Sequence, residues 1–190
     1  DAYSTSLRKS TPTELSCKRG GHVAASVGGY ALFAGGASSR NWLDTYGDIV
    51  NSVDAYDSSL TRSAAHVIGA AVEIGGAAVG NYALFAGGAV SMPINKDNVT
   101  DYVPAYDPSL TFTIAPWLSV ARANAKGASV GNYALFAGGM ADNSCTTVDA
   151  YNASLTRTTA TALSSVENNS AAATVGNHAI FVGNTASADI

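Results

Sequence analysis

The phrase Val27-Gly-Gly-Tyr-Ala-Leu-Phe-Ala-Gly-Gly36 returns almost unchanged from Val79 to Gly88 and again from Val130 to Gly139. An eroded fourth copy reads Val175-Gly-Asn-His-Ala-Ile-Phe-Val-Gly-Asn184. A second phrase, Val53-Asp-Ala-Tyr-Asp-Ser-Ser-Leu-Thr-Arg62, matches Val103 to Phe112 and Val148 to Arg157, and the chain opens on Asp1-Ala-Tyr-Ser-Thr-Ser-Leu-Arg8. Four units of about 48 residues fill nearly the whole chain, a period that points to a repeat architecture.

Each unit reads as four short antiparallel strands. The first, such as Ala24–Val27 or Ala128–Val130, ends at a Gly-Gly or Gly-Asn pair, where positive φ costs little and a two-residue hairpin closes. The second, Tyr-Ala-Leu-Phe-Ala, is apolar on both faces, as a strand between two neighbouring sheets must be. The third, Val-Asp-Ala-Tyr, runs into an Asp/Asn-x-Ser turn whose side chains bond their own backbone. The fourth starts at Leu-Thr-Arg. Such spacing predicts an all-β propeller of four four-stranded blades, with residues 1–190 forming a single domain. The termini supply half-blades. Asp1–Ser4 and Leu7–Ser10 read as a third and a fourth strand, and Ala171–Val175 and Ala179–Val182 as a first and a second. Joined 2+2, they would close the ring with backbone hydrogen bonds and remove its open edges. A segment of a larger ring, or two chains sharing one, is the competing arrangement.

The double glycines Gly35–Gly36, Gly87–Gly88 and Gly138–Gly139, followed by Tyr56-Asp57, Tyr106-Asp107 and Tyr151-Asn152, resemble the kelch repeat. Arg19 and Arg122, ahead of the first strands, are similar to the family's arginine. The resemblance departs at the start of the fourth strand, where the family usually has Trp and this chain has Arg8, Arg62, Phe112 and Arg157. It departs too in blade number, since kelch rings usually hold five to seven. The near-identical Ala-rich units look like the kelch-like arrays of bacterial and phage surface proteins. The resemblance implies a binding scaffold at an extracellular, bacterial or phage surface. The glycines and the tyrosines Tyr56, Tyr106 and Tyr151 would then be structural.

The composition agrees with a scaffold. Hydrophobic residues make up 47% of the chain and charged residues 13%, with 10 Lys+Arg against 14 Asp+Glu. Nothing supplies the clustered positive charge that phosphates require, so nucleic acid is not expected as a partner. No apolar run reaches the length needed to span a bilayer, so membrane insertion is not expected. Cys17 and Cys145 make neither a disulfide framework nor a zinc site and read as buried free thiols, with a bridge between them the alternative. Residue 1 is Asp, which suggests a processed product or a piece of something longer.

No catalytic constellation emerges. The glycine pairs lack the Lys-Ser/Thr of a phosphate loop. His178 stands where other copies have Tyr and should fill the same packed position, His22 could line the ring axis, and His66 lies away from it. They do not converge on a metal, and no cofactor is expected. An enzyme acting on a sugar at the axis, one alternative, would need Arg19, His22, Arg122 and Glu167 to meet in one cavity; a purely structural subunit of a larger assembly is the other. The units differ chiefly in the loops joining second to third strands. Ala37–Ser52 carries Arg40, Trp42, Asp44, Tyr46 and Asp48, and Ala89–Tyr102 carries Lys96, Asp97, Asp101 and Tyr102. Trp117 emerges on the same face from a connection between units. Aromatics and mixed charge on one face of a rigid scaffold read as a recognition surface for a protein or glycan. The chain is expected to work without catalysis, as a monomer or homo-oligomer.

Overall fold

The computed structural model describes residues 1–38, 47–69, 71–165 and 171–183, together with the backbone of 188–189. Among these residues every regular element is a strand. The N-terminal pair is β1 (Ala2–Tyr3) and β2 (Lys9–Ser10). Sheet I follows, with β3 (Val23–Val27), β4 (Tyr30–Ala34), β5 (Val53–Tyr56) and β6 (Arg62–Ala65). Sheet II holds β7 (Gly75–Val79), β8 (Tyr82–Ala86), β9 (Pro104–Tyr106) and β10 (Phe112–Ile114), and sheet III holds β11 (Lys126–Val130), β12 (Tyr133–Ala137), β13 (Val148–Asn152) and β14 (Arg157–Thr159). The last sheet has β15 (Ala171–Val175), β16 (His178–Val182) and β17 (Ala188–Asp189). Sheets I to III are four-stranded antiparallel meanders in sequence order, stacked face to face as in a propeller.

The apolar second strands decide this stacking. On β4, Leu32 and Ala34 join Val27, Val53 and Ala55 in a core with Phe85 and Tyr106 of sheet II. The opposite face of sheet II, Leu84, Ala86, Val103 and Ala105, packs on Ala134, Phe136 and Tyr151 of sheet III. Sheet III in turn packs Ala128 and Val148 against Ala179 and Phe181 of the last sheet. Alternate side chains of each second strand thus enter two different cores, which is why the strand cannot afford a polar face. At the centre the inner strands approach backbone to backbone. A Cβ placed on Gly127 would lie 2.1 Å from the Gly76 carbonyl oxygen, so that contact requires glycine.

The fourth strands begin later than the sequence suggests. Leu60, Leu110 and Leu155 are left-handed, with φ of 64°, 60° and 57°, so the strands start at Arg62, Phe112 and Arg157. The turn holds them there. Asp57 Oδ1 accepts hydrogen bonds from the backbone N–H groups of Ser59 and Thr61, both at 2.9 Å. The N-terminal copy obeys the same rule at Leu7, with φ of 58°. Its register Tyr3↔Lys9 repeats Tyr56↔Arg62, so Lys9, not Arg8, stands at the start of that fourth strand.

The terminal half-blades are not hydrogen-bonded to each other. β1 and β2 make a sheet of their own, and the edge of β16 where β1 was expected carries β17. Phe181↔Asp189 and Val182↔Ala188 repeat the register Phe33↔Asp54 and Ala34↔Val53, so the C-terminal Ala-Asp takes the third-strand position. A strand joined to β16 by a short loop has a small closure cost, which favours it over the distant N-terminus. The N-terminal pair instead adjoins sheet I. Tyr56 Oη donates to the Thr13 carbonyl at 2.7 Å, as Tyr151 Oη donates to Pro116 at 2.8 Å from sheet III to sheet II. Thus β1–β2 and residues 11–15 stand where the outer half of a preceding blade would stand. Cys17 and Cys145 are free, but half-buried rather than buried.

Candidate functional site

Two classes of polar group stand out, and they do different work. The first is internal. Arg19 and Asp54, both essentially inaccessible, pair at 2.7 Å, and Arg62 Nη1 reaches the other carboxylate oxygen at 2.9 Å. Ser16 donates to Asp54 through its backbone N–H and its hydroxyl, and Arg19 also donates to the Phe33 carbonyl. Sheet III repeats the set with Arg122, Asp149 and Arg157, both ion pairs at 2.9 Å, with Ser119 in the place of Ser16. Burial pushes the Asp54 carboxyl up, but the Ser16 and Arg62 hydrogen bonds and the Arg19 charge outweigh it and hold it below the usual carboxylate range. In sheet II the three corresponding positions are Ala71, Pro104 and Phe112, so all the charges vanish together. Arg19 and Arg122 are therefore committed to internal carboxylates and do not converge with His22 at the axis. Glu167 lies outside the described residues.

The second class is on the loop face. A cavity of about 280 Å³ opens between sheets I and II where their loops emerge. Asp101, Tyr102 and Trp117 line it over an apolar floor that includes Ile68, Val90 and Pro104. Local chain geometry sets each of them. Tyr102 N–H donates to Thr100 Oγ1 at 3.1 Å, and the Asp101 carbonyl accepts from Leu118 N–H at 2.8 Å, which ties the loop of sheet II to the connection bearing Trp117. Trp117 is 59% exposed at the rim. Tyr102 is half-buried, and burial pushes its phenol above the usual tyrosine range.

The remaining expected residues lie elsewhere. Lys96 and Asp97 form an exposed pair at 2.7 Å, and Lys96 N–H donates to Asp142 Oδ1 at 2.9 Å, linking the loops of sheets II and III. Asp48 is exposed, and its carbonyl accepts from Ser38 N–H. Arg40, Trp42, Asp44 and Tyr46 lie outside the described residues. In the loop of Lys96 and Asp97, Asn98 is buried, its Oδ1 accepting from Asn95 N–H and its Nδ2 donating to the Pro93 carbonyl. His22 lines an axial cavity of about 290 Å³ with Glu73 and Lys126. His66 stacks on Phe112 with ring centroids 4.2 Å apart, whereas His178 is exposed rather than packed, because no sheet covers that side of β16. The apolar floor of the loop-face cavity and the buried charge triads escape a reading that looks for site residues one loop at a time. The signal for the triads is the joint change from Arg-Asp-Arg to Ala-Pro-Phe between repeats.

No known family model matches the chain, and no curated protein resembles it in sequence. Among solved structures it resembles "Structure of YjhT", with a TM-score of 0.69 at 15% identity. The match covers 86% of this chain and 58% of that one, so the chain spans somewhat over half of its neighbour's length. At that identity the likeness concerns the fold alone: a propeller-like array of antiparallel sheets.

Proposed function

We propose that this chain is a non-enzymatic, kelch-like binding scaffold that captures a glycan on its loop face. One observation carries the reading: Asp101, Tyr102 and Trp117 meet around a single apolar-floored cavity. An exposed indole offers a flat face to the C–H side of a sugar ring, and a carboxylate accepts from its hydroxyls. A cleft of this size takes one or two sugar units of a longer chain. The terminal half-blades belong to one further blade of the ring, and the repeats suit a bacterial or phage surface protein.

The test is a glycan array probed with the wild-type chain, with Trp117→Ala and with Tyr102→Ala, each checked for unchanged circular dichroism. Both substitutions should weaken binding by about tenfold or more, the scale of an aromatic anchor. Binding to immobilised proteins instead, lost in the same variants, would move the assignment to a polypeptide ligand. Unchanged binding in both variants would remove this face from the function.

A further inference from the structure

The described chain ends in two uncovered faces, and each is the surface that the other lacks. In the junctions between sheets I and II and between sheets II and III, Leu and Ala of one second strand pack on Ala, Phe and Tyr of the next sheet. At the start of the array Ala31 is exposed and Phe33 only half-buried, whereas their counterparts Ala83, Phe85, Ala134 and Phe136 are fully buried. A cleft of about 600 Å³ lies there, between sheet I and the N-terminal segment, lined by Ala2, Leu15, Ala31, Phe33 and Tyr56. It is the place of a blade's inner two strands. At the other end β15–β16 is such an inner pair. One of its faces is buried on sheet III, while Val175 and Val182 on the other are 61% and 45% exposed.

The outer strands show the same complementarity. Tyr3, equivalent to the buried Tyr56, Tyr106 and Tyr151, is 67% exposed, and Leu7 is 83% exposed although Leu60, Leu110 and Leu155 are partly covered. The hairpin glycines agree. A Cβ on Gly28 would meet Pro108 and one on Gly80 would meet Ala153, each from the following sheet's outer turn. At Gly131 and Gly176 the same position faces nothing within 4 Å.

We propose that the occupant of the cleft is a second copy of this chain, associating head to tail. The β15–β16 pair of one copy enters the cleft of the next, with Val175, Ile180 and Val182 on Ala31 and Phe33. β1 of the receiving copy then pairs with β16 in the register Ala179↔Tyr3 and Phe181↔Asp1, displacing β17. Tyr3 Oη donates to the Thr161 carbonyl, the counterpart of Pro116, and Thr5 covers Gly131. The contact continues an interface already built three times in the chain. Closure within one copy is disfavoured because β15 packs on β11 with no equivalent packing onto β3. A head-to-tail contact forms a ring if its rotation closes and a filament otherwise.

The inference shares with the proposed function only the reading of the termini as two halves of one blade. The glycan-array test does not depend on it. Sedimentation equilibrium over a hundredfold concentration range should show a mass of at least two chains. Tyr3→Ala and Val182→Asp each alter an exposed side chain at opposite ends, so each variant should fold and be monomeric alone. Mixed together, they retain one intact junction between unlike copies and should form a heterodimer that neither forms by itself. A wild-type chain that stays monomeric at every concentration overturns the proposal, as does a mixture that remains monomeric. Monomeric wild type with the Tyr3 ring protected from solvent would mean closure within one copy. Removing residues 184–190 deletes the competing strand and should tighten association; weaker association would contradict the displacement of β17.

Discussion

The side chains with the most at stake energetically are Asp54 and Asp149, each a buried carboxylate between two arginines. Removing the carboxylate leaves a fully buried arginine, Arg19 or Arg122, charged and without its ion-pair partner. Asp149→Ala should therefore cost about 3–5 kcal/mol in urea unfolding, the scale for breaking a buried pair. The whole set is replaceable. Arg122→Ala, Asp149→Pro and Arg157→Phe together copy sheet II, and the triple variant should recover most of the stability that Asp149→Ala loses, since it strands no charge and leaves only the volume lost at Arg122. A triple variant as unstable as Asp149→Ala would refute the equivalence of the sheets. Asp54 also sets a pH dependence. Its folded pKa lies below the ordinary carboxylate value, so its contribution is present at neutral pH and fades as pH falls through about 4 and below. Melts of wild type and Asp54→Asn should differ most at neutral pH and converge in acid. These triads were readable in principle, because Asp and Arg switch together with Pro and Phe along the repeats. Their pairing was hidden because Arg19 and Asp54 are distant in sequence and meet only after the sheet folds.

At the level of elements, strand identity follows from periodicity and turn chemistry, and the first and second strands lie close to where the glycine pairs put them. The fourth strands start later, since the repeated Leu sits in a left-handed turn that its β-friendly neighbours disguise. The central contact is more specific than a run of small residues suggests. Alanine at position 24 and glycine at positions 76 and 127 look interchangeable, yet Gly127 faces the Gly76 carbonyl directly. Gly127→Ala should lower stability by about 1–3 kcal/mol through overpacking, measured by thermal melting, whereas Ala128→Gly leaves that contact untouched. Of the loop face, the aromatic and acidic residues were legible from departures between repeats. Which of them share a cavity was not, because that depends on how neighbouring sheets stack. Asp101, Tyr102 and Trp117 come together, while the Lys96 and Asp97 side chains pair with each other and only the Lys96 N–H reaches Asp142.

For the whole molecule, stability rises toward the middle of the array. Sheets II and III are covered on both sides by cores, and the end sheets on one side only. Hydrogen exchange should find the amides of β8 and β12 slowest and those of β1, β2, β15 and β16 fastest, since each repeat is held chiefly by its neighbours. Equal protection throughout would show that the ends are covered in solution. The joint switching of the triad also constrains how such a chain can be rearranged. Because Arg19, Asp54 and Arg62 span most of one unit, a crossover inside that span between a charged and an apolar repeat would strand a buried ion. Exchange of whole units is therefore safe only when the cut falls beyond the start of the fourth strand, in the connection to the next unit, and a shuffled array cut elsewhere would fail at its junction.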